Sequence, residues 1–146
     1  MIKRILTCYA EQLDEFLSRT HHQPEGLAAV GLVGPSGEPA PNKVIISLVN
    51  LEKEMPGDLQ YPPSAVHSSA GKVYPLIMNM YVLLSAVYES RRYAESLSVL
   101  SDTLAFIQSR PKFNTGKEIC RVEVIPMSTT DLHNIWSTMG DRKSVV

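Results

Sequence analysis

The chain has 146 residues, a formal net charge of −1, an apolar fraction of 44% and a charged fraction of 20%. This length and balance are typical of one globular domain with a buried core, and they exclude a disordered chain. Nucleic-acid-binding proteins and membrane-surface helices normally carry a basic excess, and the charge disfavours both classes.

The cysteine content indicates a reducing compartment. Cys8 and Cys120 are too few and too far apart in sequence for a disulfide scaffold or a zinc cluster. We interpret both as small buried residues. The longest apolar stretch, Val73–Tyr88, is interrupted by Pro75 and is shorter than the ~18–20 residues that a membrane span needs. Because the N-terminus also lacks a secretory signal pattern, we expect a soluble chain made in the cytoplasm.

The N-terminal half begins with a helix and two strands. Apolar residues recur at intervals of three and four, which predicts an amphipathic helix from Ile2 to about Thr20, before His21-His22-Gln23-Pro24. The apolar run Leu27–Val33 predicts a strand. After the turn-rich segment Gly34–Asn42, a second strand follows, and we expect the two to form a hairpin with a wide loop.

The second strand, NKVIISLVNLEKE (Asn42–Glu54), continues into charged residues without a turn signal. Its first part is apolar enough for burial on both faces. Glu52 and Glu54 share one face with Lys53 opposite, but a catalytic carboxylate needs an apolar pocket to raise its pKa. The neighbouring charges favour a solvated strand end, or a segment that contacts another chain, over a catalytic pair.

The middle of the chain contains an irregular loop and an ambiguous apolar segment. A loop as long as Met55–Lys72 is uncommon in a compact domain, so we expect it to be mobile or held by a partner. Tyr74–Tyr88 is apolar on every face and fits a central strand or a buried helix, and Pro75 favours the strand. Ser90 is the predicted N-cap of a helix that ends near Arg110. The residues with helical spacing in that segment are Tyr93, Leu97, Leu100, Leu104 and Ile107.

The C-terminal part predicts one more strand and a short helix. Lys117–Pro126 alternates between apolar and charged residues, which is typical of a half-exposed strand. Ser128–Asp131 resembles a capping box that opens a helix ending near Gly140. Together the elements predict an α+β domain with a largely antiparallel, mixed sheet of about four strands and helices on one face.

No motif for a cofactor, metal or catalytic group survives inspection. Asn114–Glu118 lacks the upstream glycine and the following Ser or Thr of a phosphate-binding loop, and Gly34–Gly37 lacks nucleophile-elbow spacing. The histidines have no partners at metal-binding spacing, and we interpret them as solvated or capping residues. They are His21, His22, His67 and His133. The prediction is therefore a protein that is not an enzyme and has no cofactor or metal.

Arg91 and Arg92 fall in the predicted first turn of the second helix, where the dipole disfavours a cation by roughly 0.3–1 kcal/mol. Two interpretations stay open. The side chains either bend into solvent toward Glu95, or they meet carboxylates of another chain.

Three segments in this order resemble one family: SLVNLEKE at residues 47–54, NMYVLLSA at 79–86 leading into a helix, and LHNIWSTMG at 132–140. The combination resembles the cap, or tube-and-sheath terminator, proteins of phage-tail-like contractile injection systems. The resemblance covers almost the whole chain and includes no catalytic signature.

The resemblance implies a structural subunit that forms a hexameric ring on the distal end of the inner tube and sheath and stops polymerisation. Its implied partners are other copies of itself and the tube and sheath proteins, with no nucleic acid and no membrane insertion. Assembly would occur in the cytoplasm, within a particle that can be released from the cell. Because relatives continue into another apolar strand, we expect residues 1–146 to form a single domain that lacks a final C-terminal strand.

The resemblance also suggests which residues contact partners. Val44–Val49 would lie in the sheet, while the strand end and the following loop would project toward a neighbour. With the two arginines, the candidate interface residues are Asn50, Glu52, Lys53, Glu54, Arg91 and Arg92. Two alternatives remain: another structural adaptor of the same particle, or a small enzyme with its site in the Met55–Lys72 loop.

Overall fold

The computed structural model of the protein describes residues 1–33, 39–53 and 77–138. Within those residues the chain has an α+β fold with a mixed sheet, as the sequence predicts. In chain order the elements are α1 (Ile2–His21), β1 (Ala28–Val30), β2 (Lys43–Lys53), β3 (Met78–Val87), a 3-10 turn (Ser90–Arg92), α2 (Tyr93–Ser109), β4 (Lys112–Asn114), β5 (Ile119–Arg121) and α3 (Thr129–Thr138). The Met55–Lys72 loop and the helix stop at Gly140 are predictions that lie outside the described residues.

The larger sheet has three strands in the order β1-β2-β3. β1 and β2 are parallel, with Ala28 opposite Val44 and Val30 opposite Ile46. The predicted hairpin between these strands is therefore wrong, because a two-strand hairpin is antiparallel. Apolar runs and turn residues indicate where strands begin and end, but not the direction in which they pair. The connecting residues 31–42 are long enough for the crossover of about a dozen residues that a parallel pair requires.

β3 lies on the other side of β2 and runs in the opposite direction. Asn42, immediately before β2, accepts a 3.0 Å hydrogen bond from the N–H of Glu89, just after β3. The start of one strand therefore lies beside the end of the other. Asn42 has a φ of 56°, in the left-handed region that asparagine tolerates. The strand prediction for Tyr74–Tyr88 is confirmed over Met78–Val87, and the buried-helix alternative is wrong.

α1 is confirmed to within one residue of its predicted end, and it supplies much of the core. Its ring side chains pack on Phe106 of α2, with centroid distances of 5.6 Å from Tyr9 and 5.3 Å from Phe16. Leu13 and Phe106 are fully buried. The buried residues of α1 are Leu6, Tyr9, Ala10, Leu13 and Leu17.

Asp14 of α1 fixes the chain that leads into β1. Its Oδ1 accepts hydrogen bonds from the N–H groups of Gly26, at 2.9 Å, and Leu27, at 2.7 Å. The same oxygen accepts a longer bond from the hydroxyl of Ser18. One carboxylate therefore satisfies two backbone donors and sets where β1 begins relative to the helix.

The start of α2 differs from the prediction. Ser90 is not an N-cap, because it opens a 3-10 turn in which the N–H of Arg92 donates to the carbonyl of Glu89 at 2.8 Å. The α-helix itself begins at Tyr93, with Arg92 in the N-cap position and no capping hydrogen bond from its side chain. A serine before a run of apolar residues at helical spacing is a common N-cap. Here the backbone of Ser90 is part of the 3-10 turn instead.

The predicted strand Lys117–Pro126 is a strand only over Ile119–Arg121. It pairs antiparallel with β4, which the sequence analysis does not predict, in a separate two-stranded sheet. The turn at Asn114–Glu118 is confirmed. Gly116 has a φ of 94°, where only glycine is unstrained, and its N–H donates to Oδ1 of Asn114 at 2.7 Å.

The cap of α3 is also confirmed. Oγ of Ser128 accepts a 3.1 Å hydrogen bond from the N–H of Asp131, which is the N-cap half of the predicted capping box. The helix begins one residue later, at Thr129.

Backbone contacts divide the chain into two units, Met1–Ser47 with Leu83–Val146, and Leu48–Val82. The first unit contains the helices of the described residues and the buried parts of the larger sheet. The described residues of the second unit belong to β2 and β3, apart from Ile77, which precedes β3.

Candidate functional site

The second unit contributes a surface that we call the strand extension, defined as Leu48–Lys53 of β2 and Ile77–Val82 at the start of β3. Exposure along β2 changes sharply where the extension begins: Ser47 is 2% exposed, Leu48 36% and Val49 41%. The prediction that β2 is buried on both faces is therefore confirmed only up to Ser47. A two-stranded ribbon is marginally stable by itself, so exposed apolar residues on it favour contact with a further chain.

Two candidate residues, Asn50 and Glu52, contact each other on the strand extension. Nδ2 of Asn50 lies 3.4 Å from Oε1 of Glu52, and Oδ1 of Asn50 accepts from the N–H of Leu51 at 2.8 Å. Oη of Tyr81 donates to the other oxygen of Glu52 at 3.2 Å, and this hydrogen bond raises the pKa of Tyr81. Glu52 is exposed and lacks the apolar surroundings that an acid–base carboxylate needs.

The remaining candidates of this segment lie at its end. Lys53 is exposed and is the last residue of β2. Glu54 lies outside the described residues, so its predicted place beside Glu52 stays a prediction. The strand extension therefore offers an apolar ribbon with an amide, a carboxylate and an ammonium group near its end.

The two arginines precede α2 instead of lying in its first turn as predicted. Arg92 forms a bidentate ion pair with Glu95, in which Nε donates to Oε2 at 2.7 Å and Nη2 donates to Oε1 at 2.5 Å. Its guanidinium also lies 5.4 Å from the centre of the Tyr88 ring. Nε of Arg91 donates to Glu89 at 2.5 Å. The Arg92 contact agrees with the intrachain interpretation, and contact of either arginine with another chain stays a prediction.

A second candidate surface, which the sequence analysis does not identify, is the outward face of α2, defined by Tyr93, Leu97 and Leu104. These residues are 57%, 41% and 43% exposed, although their spacing is what predicts the helix. The neighbouring exposed positions on this helix are small or uncharged. They are Ala94, Ser98, Ser101, Ala105 and Gln108.

The two acidic side chains of α2 are engaged within the chain. Glu95 contacts Arg92, and Oδ2 of Asp102 lies 2.7 Å from Nε2 of His21. The outward face between Tyr93 and Gln108 therefore carries no charged side chain.

The buried face of α2 carries two polar side chains. Ser96 and Thr103 point into the core beside Phe106 and are almost fully buried. Each hydroxyl donates to a carbonyl of the same helix, Ser96 to Tyr93 at 2.5 Å and Thr103 to Val99 at 2.8 Å. Because these polar groups are satisfied locally, they can face the core at little cost. α2 therefore has large apolar side chains on its outward face as well as on its buried face, which favours cover on both sides.

The described residues contain no cluster of three or more His, Cys, Asp or Glu side chains that could hold a metal ion. Among the same residues, no helix combines the length and the apolar character that crossing a membrane demands.

Comparison with known proteins identifies a family. Residues 7–145 match the model of a family described as the Pvc16 N-terminal domain. No curated protein matches the chain. The matched range includes both the strand extension and the outward face of α2.

Proposed function

The chain belongs to the Pvc16 N-terminal domain family, and from this premise we propose that it caps a contractile injection system as its tube and sheath terminator. The family membership makes the chain a structural protein related to phage-tail-like particles. The finer role is our proposal. The protein would bind the distal end of the inner tube and sheath and stop further polymerisation, with no catalytic step and no cofactor.

The strand extension is the observation that carries this proposal. A cap must present a surface that fits the last subunits of a filament. The extension presents Leu48 and Val49 to solvent on a ribbon, and its backbone continues to Lys53 at the strand end. Extended strands bind partners by adding to a sheet, so that main-chain hydrogen bonds supply affinity while apolar side chains enter pockets. We assign this surface to the tube or sheath end.

The outward face of α2 supports the ring. A helix of 17 residues is about 25 Å long, and a contact about 10 Å wide along it covers roughly 250 Å². This is well below the roughly 800 Å² per partner of a stable pairwise interface. A face of this size can form one part of a contact between subunits. In a closed ring each subunit is held on two sides, which strengthens every such contact. We assign it to the neighbouring copy in a hexameric ring that assembles in the cytoplasm.

Electron microscopy of the purified protein mixed with tube and sheath proteins tests the proposal. We expect rings, and tubes with one blunt, decorated end. Val49→Lys should remove the decoration, because it places a charge on the apolar ribbon. The matched control is Ile119→Lys, since Ile119 is 85% exposed on β5 and belongs to neither assigned surface.

A second pair of variants addresses the ring. Leu97→Glu should abolish rings while leaving the fold intact, and Leu32→Glu should leave rings unchanged, because Leu32 is 81% exposed and lies on neither surface. Decoration along the tube, or at a baseplate end, would indicate another adaptor role within the particle and would overturn the cap assignment.

A further inference from the structure

α1 packs against the β4–β5 hairpin through two contacts that fix its register. The guanidinium of Arg4 forms an ion pair with Glu118, with Nε donating to Oε2 at 3.0 Å. The ring of Tyr9 lies 5.2 Å from the ring of Phe113 in β4. One face of the helix therefore meets one face of the hairpin at two places.

This register predicts that the two cysteines lie close together. Arg4 and Cys8 are one turn apart on the helix, a rise of about 6 Å. Glu118 immediately precedes β5, and Cys120 is two residues further, at most about 6.8 Å along an extended chain. The Arg4–Glu118 contact is the starting point. One helical turn along α1 leads from Arg4 to Cys8, and two residues along the hairpin lead from Glu118 to Cys120, so Cys8 should lie beside Cys120.

The second contact supports the same placement. Phe113 is directly opposite Cys120 in the β4–β5 pairing, and side chains opposite each other lie on one face of a sheet. Phe113 contacts Tyr9, which is adjacent in sequence to Cys8. Cys120 therefore faces the same part of α1 as Phe113.

The surroundings of Cys120 include Cys8 and Glu118. Burial raises the pKa of Cys120, and the charges of Glu118 and Cys8 raise it further. Both cysteines are free and only partly buried. The interpretation of both as small buried residues is therefore only partly confirmed.

We propose that Cys8 and Cys120 are a redox-sensitive pair that forms an intramolecular disulfide on reaction with a small disulfide such as oxidised glutathione. The thiolate of Cys8 attacks one sulfur of the oxidant and releases one glutathione thiolate. The thiolate of Cys120 then attacks the mixed disulfide at Cys8, closes the Cys8–Cys120 bond and releases the second glutathione. The oxidant gains two electrons, and the two cysteines lose two protons and two electrons.

The bond would tie α1 covalently to β5. It closes a loop that contains most of the chain, so it restricts the unfolded state strongly. A reduced chain would keep the Arg4–Glu118 and Tyr9–Phe113 contacts as non-covalent links at this place. The disulfide does not depend on the proposed capping function.

Incubation of the purified chain with oxidised glutathione, followed by peptide mass spectrometry without reduction, tests the pair. We expect a monomer that loses two hydrogens, a linked peptide containing both cysteines, and a melting temperature raised by several degrees that dithiothreitol reverses. Cys8→Ser and Cys120→Ser should each accumulate the glutathione adduct on the remaining cysteine. Persistent adducts on both cysteines of the unaltered chain, or disulfide-linked dimers without the internal link, would overturn the proposal.

Discussion

A matched series of leucine-to-alanine substitutions tests whether α2 presents its leucines to solvent. Leu13 of α1 is 0% exposed, whereas Leu97 of α2 is 41% exposed. The same three carbon atoms are removed in each case. The difference in the free energy of unfolding therefore reports the surroundings of the side chain and not its chemistry.

The expected magnitudes follow from burial. Removing three buried carbons costs about 2.4 kcal/mol at about 0.8 kcal/mol each. At Leu13 a sealed cavity adds to this loss, so the total is about 3–5 kcal/mol. At Leu97 roughly three-fifths of the transfer loss applies, and no sealed cavity forms because the site opens to water. The expected cost there is about 1–1.5 kcal/mol.

Urea unfolding followed by circular dichroism measures both values, with unchanged m-values as the check that the unfolded states are comparable. Leu104→Ala should agree with Leu97→Ala, because the two side chains have similar exposure. If Leu97→Ala costs as much as Leu13→Ala, the leucines of α2 are core residues. The assignment of an outward apolar face would then be refuted.

Three further predictions concern contacts elsewhere in the chain. The hydrogen bond from Arg4 lowers the pKa of Glu118 from 4.5 to about 2, so its contribution to stability is complete above pH 4.5 and is lost as the pH falls toward 2. The melting temperature of Glu118→Gln should therefore approach that of the unaltered chain over this range, and a constant difference would contradict the pairing. Asp14→Ala should lower the free energy of unfolding in urea by about 1–3 kcal/mol because the N–H of Leu27 loses its acceptor; a loss below 0.5 kcal/mol would contradict that role. Ser128→Ala should reduce helix content at the α3 terminus at a cost of about 1 kcal/mol, and unchanged hydrogen exchange there would contradict the cap.

The elements that the sequence predicts well are those with a strong local signal. α1 has one clear apolar face, and its end before Pro24 follows from backbone sterics. The cap at Ser128 needs only residues three apart. β4 was missed because three residues, Lys112–Asn114, are too few to show any alternation. Pairing direction was missed because it depends on the path between β1 and β2.

The candidate surfaces were only partly predictable for a related reason. The exposure of the end of β2 could be predicted from the sequence, because the charged residues Glu52 and Lys53 follow an apolar run. The exposure of the outward face of α2 could not be predicted in this way. The helix has apolar residues on both sides, and its inward Ser96 and Thr103 resemble surface residues. The signal that could have revealed it is a helix with large apolar residues on two faces in a small domain.

The most direct test of the central claim is the length of particles assembled in cells that lack this protein, measured by electron microscopy. A terminator sets where polymerisation stops, so we expect tubes and sheaths that run beyond their normal length or fall apart, with rescue by the unaltered chain. Particles of normal length with finished ends, assembled without the protein, would contradict the account.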